Sequence, residues 1–264
     1  MSHSLFDRGA CRYCAVLGAE GVGLGRWHGQ RHQWLGSQAF TCQAAQPAWA
    51  AALLALDGLL TEHQVNGAPL QILLSARFSR FCLVPWSDAI GHPRELYAYA
   101  QACFENLYGQ ALDDWRIVLS PEPAGAARIA TALPEALLQG LQAQGQQRHL
   151  RLRSVQPYLM AAYNHCQAQL EPGNFLFVLA EPRRSVLLLA AHGCWQQVLA
   201  QGCADNDQAL QALIERTGEL YGEPLPQVYL HAPGRQAALS LAAVQLCSGL
   251  AEADPLCAMW RAVA

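Results

Sequence analysis

The sequence predicts an α/β protein made of two like units, each a mixed sheet with helices on its faces, set side by side as two lobes around a cleft. Three observations carry this. Three short strands, a helix and a further strand occur twice in the same order, which is an architectural repeat. His28-Gly29 and His192-Gly193 mark the second turn of each strand trio, and Pro69-Leu70-Gln71-Ile72-Leu73 is echoed by Pro226-Gln227-Val228-Tyr229-Leu230 after each helix. Finally, 52% of the 264 residues are hydrophobic and only 14% charged, enough apolar material to bury both faces of such sheets.

The elements follow in order. Arg12 to Leu17, Gly21 to Trp27 and Gln33 to Thr41 read as a strand meander, with turn signals at Gly18 to Gly21 and at His28-Gly29. Pro47 suits a helix first turn. The Ala- and Leu-rich stretch from Ala48 to His63, apolar on more than one face, reads as a buried helix ending before Asn66-Gly67. Leu70 to Ser75 and Phe78 to Pro85 read as strands, and Arg94 to Tyr108 as a helix stopped by Gly109. Trp115 to Leu119 and Arg128 to Ala132 form a strand pair around the Pro121 to Gly125 turn. Helix Pro134 to Gln144, strand Leu150 to Val155 and helix Tyr158 to Gln169 follow. The opening pattern then returns as strands Asn174 to Leu179, Ser185 to Ala190 and Trp195 to Leu199, a helix from Asp205 to Tyr221 and a strand from Gln227 to Leu230. A last helix is expected from about Gln236 to Leu250. The first lobe, with the inserted strand pair, is placed at 1–155 and the smaller second lobe at 156–264.

Charge and composition exclude several functions. Seventeen basic residues against 20 acidic ones give a net charge of -3, which is no footprint for nucleic acid. Every basic residue is Arg. Without Lys the chain has no Walker-A lysine, no kinase strand lysine, no Schiff base and no Ser-Lys nucleophile, and a guanidinium that stays protonated replaces none of them. The ten cysteines are irregularly spaced, and Asp7, Arg8 and Arg12 interrupt the start where a secretory signal would be apolar. A reducing, cytoplasmic setting is therefore expected. The most apolar run, Ala48 to Leu60, holds Asp57 and falls short of the roughly 20 residues a bilayer span needs. Membrane association is thus expected to require a partner.

Other patterns reduce to ordinary structure. Gly21-Val22-Gly23-Leu24-Gly25 lacks the third glycine of a dinucleotide fingerprint, since His28 occupies that place, and is read as a turn. Cys11-Arg12-Tyr13-Cys14 has no second Cys pair to complete a zinc site and leads into a strand rather than a helix, so free thiols are expected. No Gly-x-Ser-x-Gly elbow occurs. Asp113-Asp114 is read as a solvated loop. Trp27, Trp34, Trp86, Trp115 and Trp195 sit in or beside strands, as core or cleft-wall aromatics do.

A duplicated unit of three strands followed by alternating helix and strand resembles the RNase H-like ground plan of the actin-like, sugar-kinase and Hsp70-like ATPases. Within that group, Ile72-Leu73-Leu74-Ser75 through Phe81-Cys82-Leu83-Val84-Pro85-Trp86, then Ser154-Val155-Gln156-Pro157 leading into a helix, and Phe177-Val178-Leu179-Ala180 resemble the PilM and GspL proteins of type IV pilus and type II secretion assembly. The resemblance spans about residues 12 to 240 as a pattern. ATP-using members open each unit with an Asp-containing, Gly-rich turn that organises magnesium and phosphate. The resemblance puts these turns at Leu17 to Gly23 and Ala180 to Arg184. Neither holds the Asp. The first offers Glu20, Gly21 and Gly23. The second offers Glu181 and Arg183 with a Pro that lacks the N–H a phosphate cradle would use. Gly234 stands alone where the adenosine-side glycine pair would be. These six residues mark a vestigial nucleotide cleft, with no catalytic residue, no metal ligand and no cofactor expected.

Two functions follow from the resemblance. The first is a non-catalytic cytoplasmic scaffold, recruited to the inner membrane by the cytoplasmic segment of an assembly protein that docks on a sheet edge or in a groove. The alternative is a small-molecule kinase or ATPase of the same superfamily, with Glu20 and Glu181 replacing the usual aspartates around Mg and ATP.

Overall fold

The computed structural model describes residues 11–29, 31–42, 46–233, 242–246 and 254–263. Strands β1 (Arg12–Leu17), β2 (Gly21–His28) and β3 (Arg31–Ala39) form an antiparallel meander. Helix α1 (Ala48–Glu62) leads to β4 (Pro69–Leu74), which runs parallel to β1. An insertion follows: β5 (Arg80–Val84), α2 (Pro93–Tyr108), β6 (Trp115–Leu119) and β7 (Arg128–Pro134), the strands pairing as a separate sheet β5-β7-β6. Helix α3 (Glu135–Gln147) and strand β8 (Arg151–Pro157) complete the first five-stranded sheet, β3-β2-β1-β4-β8. Next come α4 (Tyr158–Cys166), β9 (Phe175–Glu181), β10 (Arg184–Ala191), β11 (Cys194–Gly202), α5 (Asp207–Tyr221), β12 (Val228–His231) and β13 (Val244–Leu246). Their sheet, β11-β10-β9-β12-β13, repeats the order of the first, and its last two pairings are parallel. Helix α6 (Pro255–Arg261) ends the described chain.

Local chemistry sets the boundaries. In α2, Pro93 occupies the first turn, Glu95 returns to the His92 backbone N–H at 3.1 Å, and Gly109 takes the left-handed turn that stops the helix. Asn206 caps α5 by accepting from Ala209 N at 2.8 Å. Between the meander strands, His192 and Gly193 both adopt positive φ, which matches a tight hairpin to the twist of β10 and β11.

Both main sheets are covered on two faces. Ala15, Leu17, Val22 and Leu24 face α1 and α3, while Cys14 and Val16 face a core shared with Phe175, Phe177, Leu179, Val186 and Leu188 of the second sheet. Helix α4 runs through that shared core with Tyr158, Leu159, Ala162 and Cys166 buried. The outer face of the second sheet packs on Leu210, Leu213 and Ile214 of α5.

Three expectations need correction. Gly21 to Gly25 is strand β2 rather than a turn. The segment Val244–Leu246, expected within a helix, is β13, because the free edge of β12 takes a further parallel strand; a short apolar run does not distinguish the two. The rest of the expected helix, 236–241 and 247–250, lies outside the described residues. Lastly α6, within the span assigned to the second lobe, packs on β1, β2 and β3 of the first.

Candidate functional site

The two hairpin tips meet between the lobes. The β1–β2 tip is closed by Gly18 N donating to Gly21 O at 2.8 Å. At the β9–β10 tip Glu181 pairs with Arg184 across a two-residue turn, Pro182 supplying the fixed φ of its first corner and Arg183 the positive φ of its second. That left-handed Arg is held by its backbone: Arg183 N donates to Asp205 Oδ1 at 2.7 Å, and Arg183 O accepts from Cys203 N at 3.1 Å. Its guanidinium reaches across to Glu20, an ion pair with both side chains about two-thirds exposed at 69% and 64%.

Glu181 behaves differently. Its side chain enters the first lobe just beyond β4, where Ser75 Oγ donates to it and Ala76 N donates at 3.1 Å. The residue is 1% exposed. Burial pushes its carboxyl up to about 7, against the opposing pull of the Ser75 and Ala76 hydrogen bonds and of Arg184. Arg184 is half-buried beside it, and desolvation lowers its pKa.

Gly21 and Gly23 serve packing. Together with Gly25 they leave one face of β2 bare, and α6 lies in the channel. A Cβ on Gly23 would overlap Trp34, and one on Gly25 would overlap Trp260. Asp254 caps α6 by accepting from Leu256 N at 2.9 Å and also accepts from Ser37 Oγ of β3 at 2.6 Å. Trp260 lies 6.0 Å from Trp27 and 5.7 Å from Trp34, centroid to centroid. The Asp254-Pro255 pair is the sequence signal for this helix that the strand-and-helix reading missed.

The structure therefore brings Glu20, Gly21, Glu181 and Arg183 together around a cavity of about 250 Å³, with Gly23 two residues farther along β2. A larger opening of about 730 Å³ lies beside the tips, lined by Glu20, Phe40, Arg77, Arg183 and Arg184 among others. Gly234 lies outside the described residues. A hydrated magnesium–triphosphate group does not fit these hairpins as they stand: Glu181 is buried on Ser75 and Ala76, and the glycine face is covered by α6. Among the described residues no three His, Cys, Asp or Glu side chains cluster as metal ligands. No described helix is long and apolar enough to cross a membrane.

A second feature lies outside the predicted residues. The outer face of β6 and β7 meets edge strand β8 and the start of α4 in an apolar groove of about 280 Å³, lined by Val118, Pro121, Ile129, Val155, Pro157 and Met160 among others. Val118 is 59% exposed there.

No family model matches the chain, and no curated protein matches it. Solved structures do. The cytoplasmic domain of EpsL, an inner membrane component of the type II secretion system of Vibrio cholerae, aligns with a TM-score of 0.60 at 13% identity, covering 96% of this chain and 94% of that one. The PilM–PilN type IV pilus biogenesis complex matches with a TM-score of 0.59 at 17% identity, over 96% of this chain and 90% of that one. A Bacteroides thetaiotaomicron protein with an actin-like ATPase fold and unknown function matches at 0.55 and 10% identity, over 91% and 87%. The chain has the actin-like fold, and its duplicated sheet order agrees with that.

Proposed function

We propose that this chain is a non-catalytic cytoplasmic scaffold of a pilus or type II secretion-type assembly, and that it docks a segment of a membrane-anchored component in the groove between β6–β7 and β8. The groove carries the reading. Edge strand β8 lies beside an apolar floor, the arrangement in which an extended peptide finds both a strand to pair with and side-chain pockets. The fold neighbours support the biological setting: one is the cytoplasmic domain of an inner membrane secretion component, the other was solved in a complex with PilN. The inter-lobe junction supports the absence of catalysis and of a nucleotide cofactor. Of the two carboxylates on which a kinase or ATPase of this fold would rely, Glu181 is buried and held by Ser75 and Ala76.

The test is co-purification from gently solubilised cells, comparing the natural chain with Val118→Glu. Because Val118 is largely exposed, the variant is expected to fold and melt normally. The natural chain is expected to recover a membrane-anchored envelope-assembly component and the variant to lose it. Recovery of no such component, or equal recovery by both, overturns the docking proposal. Calorimetric titration with magnesium and ATP is expected to show no heat, and micromolar binding with turnover would overturn the non-catalytic reading.

A further inference from the structure

Beyond Pro121 the groove runs toward a small chamber of different chemistry. Tyr163 of α4, Phe175 of β9 and Trp195 of β11 line a cavity of about 190 Å³ together with Glu122 from the β6–β7 loop. The Trp195 and Phe175 rings stand at 83° with centroids 5.9 Å apart, and Tyr163 meets Trp195 at 67° and 5.5 Å. The three rings, Trp195 packed edge to face against the other two, form an aromatic corner along one side of this cavity, with Phe175 buried and Tyr163 and Trp195 partly exposed. Glu122 Oε1 accepts from Trp195 Nε1 at 2.8 Å, which sets the carboxylate at the rim of that corner. No cation pairs with Glu122 among the described residues. Burial, reinforced by the Glu122 charge, pushes the Tyr163 phenol above its ordinary value. Gly173 and Gly193 complete the wall with bare backbone, Gly193 N donating to Gly173 O at 3.1 Å, and a Cβ on Gly173 would come within 2.9 Å of Gly193 Cα.

We infer that this corner binds an organic cation, and that its occupant is a basic side chain on the partner segment lying in the adjacent groove. Aromatic faces attract cations through their quadrupoles, Trp most strongly, and the Glu122 carboxylate, which no cation pairs among the described residues, supplies the counter-charge. Groove and corner are lined by neighbouring residues. Ser120 and Pro121 line the first and Glu122 the second, while Met160 and Tyr163, one helical turn apart on α4, line one each. A segment with apolar residues followed by Arg or Lys satisfies both. The identity of the occupant rests on the docking proposal above; the cation preference of the corner does not.

The test separates the two. In the full chain, the indole N–H signal of Trp195, assigned by its loss in Trp195→Phe, is followed by NMR during titration with N-acetyl-arginine methylamide, N-acetyl-lysine methylamide, tetramethylammonium and the neutral N-acetyl-citrulline methylamide. A saturable shift with the Arg or Lys amide, absent with citrulline, is expected. Glu122→Gln keeps an acceptor for Trp195 and is expected to weaken the cation roughly tenfold. A shift that citrulline reproduces, a cation affinity unchanged in Glu122→Gln, or no saturable shift overturns the site. A response to tetramethylammonium alone assigns the corner to a quaternary ammonium such as a choline headgroup and overturns the basic-side-chain occupant. Val118→Glu is expected to leave the small-cation response intact, so failure of the groove and failure of the corner give different results.

Discussion

Glu181, at the end of β9, accepts a hydrogen bond from Ala76 N at 3.1 Å, so that a carboxyl group of one lobe is seated in the backbone of the other, 105 positions away in the chain. A side chain of the second sheet thus bridges to the end of β4 in the first. That bridge carries one buried acid whose ionisation burial disfavours.

Stability is expected to fall between about pH 4.5 and about pH 7 through Glu181. Burial raises its carboxyl from the ordinary 4.5 to about 7, so the folded chain holds a proton that the unfolded chain has released. The contribution is fully present below the unfolded value and is lost as pH rises to the folded one. Glu181→Gln keeps an acceptor for Ser75 and Ala76 and removes the titration. Urea unfolding between pH 4.5 and pH 8 is expected to show a flatter profile for the variant, with the variant the more stable of the two at pH 8. Parallel profiles for both proteins would refute this assignment.

The bare face of β2 is expected to be intolerant of side chains. Gly25→Val must displace Trp260, and we expect a loss of about 3 kcal/mol from overpacking and disrupted burial of α6. Trp260→Ala is expected to cost about 3–5 kcal/mol by leaving a cavity among Trp27, Trp34 and Met259. The double variant is expected to lose less than the sum, because the second change removes the clash made by the first. Additive losses in urea denaturation would show that the glycine and the helix do not share this contact.

The Glu20–Arg183 pair is expected to add little. Both side chains are about two-thirds exposed, and pairs of that kind contribute about 0–1 kcal/mol. Glu20→Gln is therefore expected to melt within a degree or two of the natural chain at physiological salt, in contrast to the pH-dependent effect of Glu181→Gln. A large destabilisation would transfer the bridging role from Glu181 to the exposed pair.

Much of the architecture was legible because it is written in local chemistry. Turn pairs such as His192-Gly193, the helix stop at Gly109 and the Pro47 helix start each act within a few residues. The recurring order of three strands, helix and strand needs only those signals in series. The short apolar segment at 244–246 escapes such a reading for the complementary reason: its state depends on the unpaired edge of β12, which no neighbouring residue encodes.

Residue pattern alone determined that the chain is a doubled α/β unit and that it lacks every lysine-based chemistry; the resemblance to actin-like ATPases added that both hairpin tips lack the aspartates such enzymes carry. Tertiary structure decided what stands in their place. Glu20 and Glu181 are both glutamates at corresponding turns, yet one is solvated and ion-paired while the other is buried with a raised pKa. The glycines of β2 receive a helix from the far end of the chain, and Glu122 meets Trp195 from 73 positions away. Burial and pairing are properties of the space around a side chain, and that space is assembled from segments whose proximity arises only when the sheets pack.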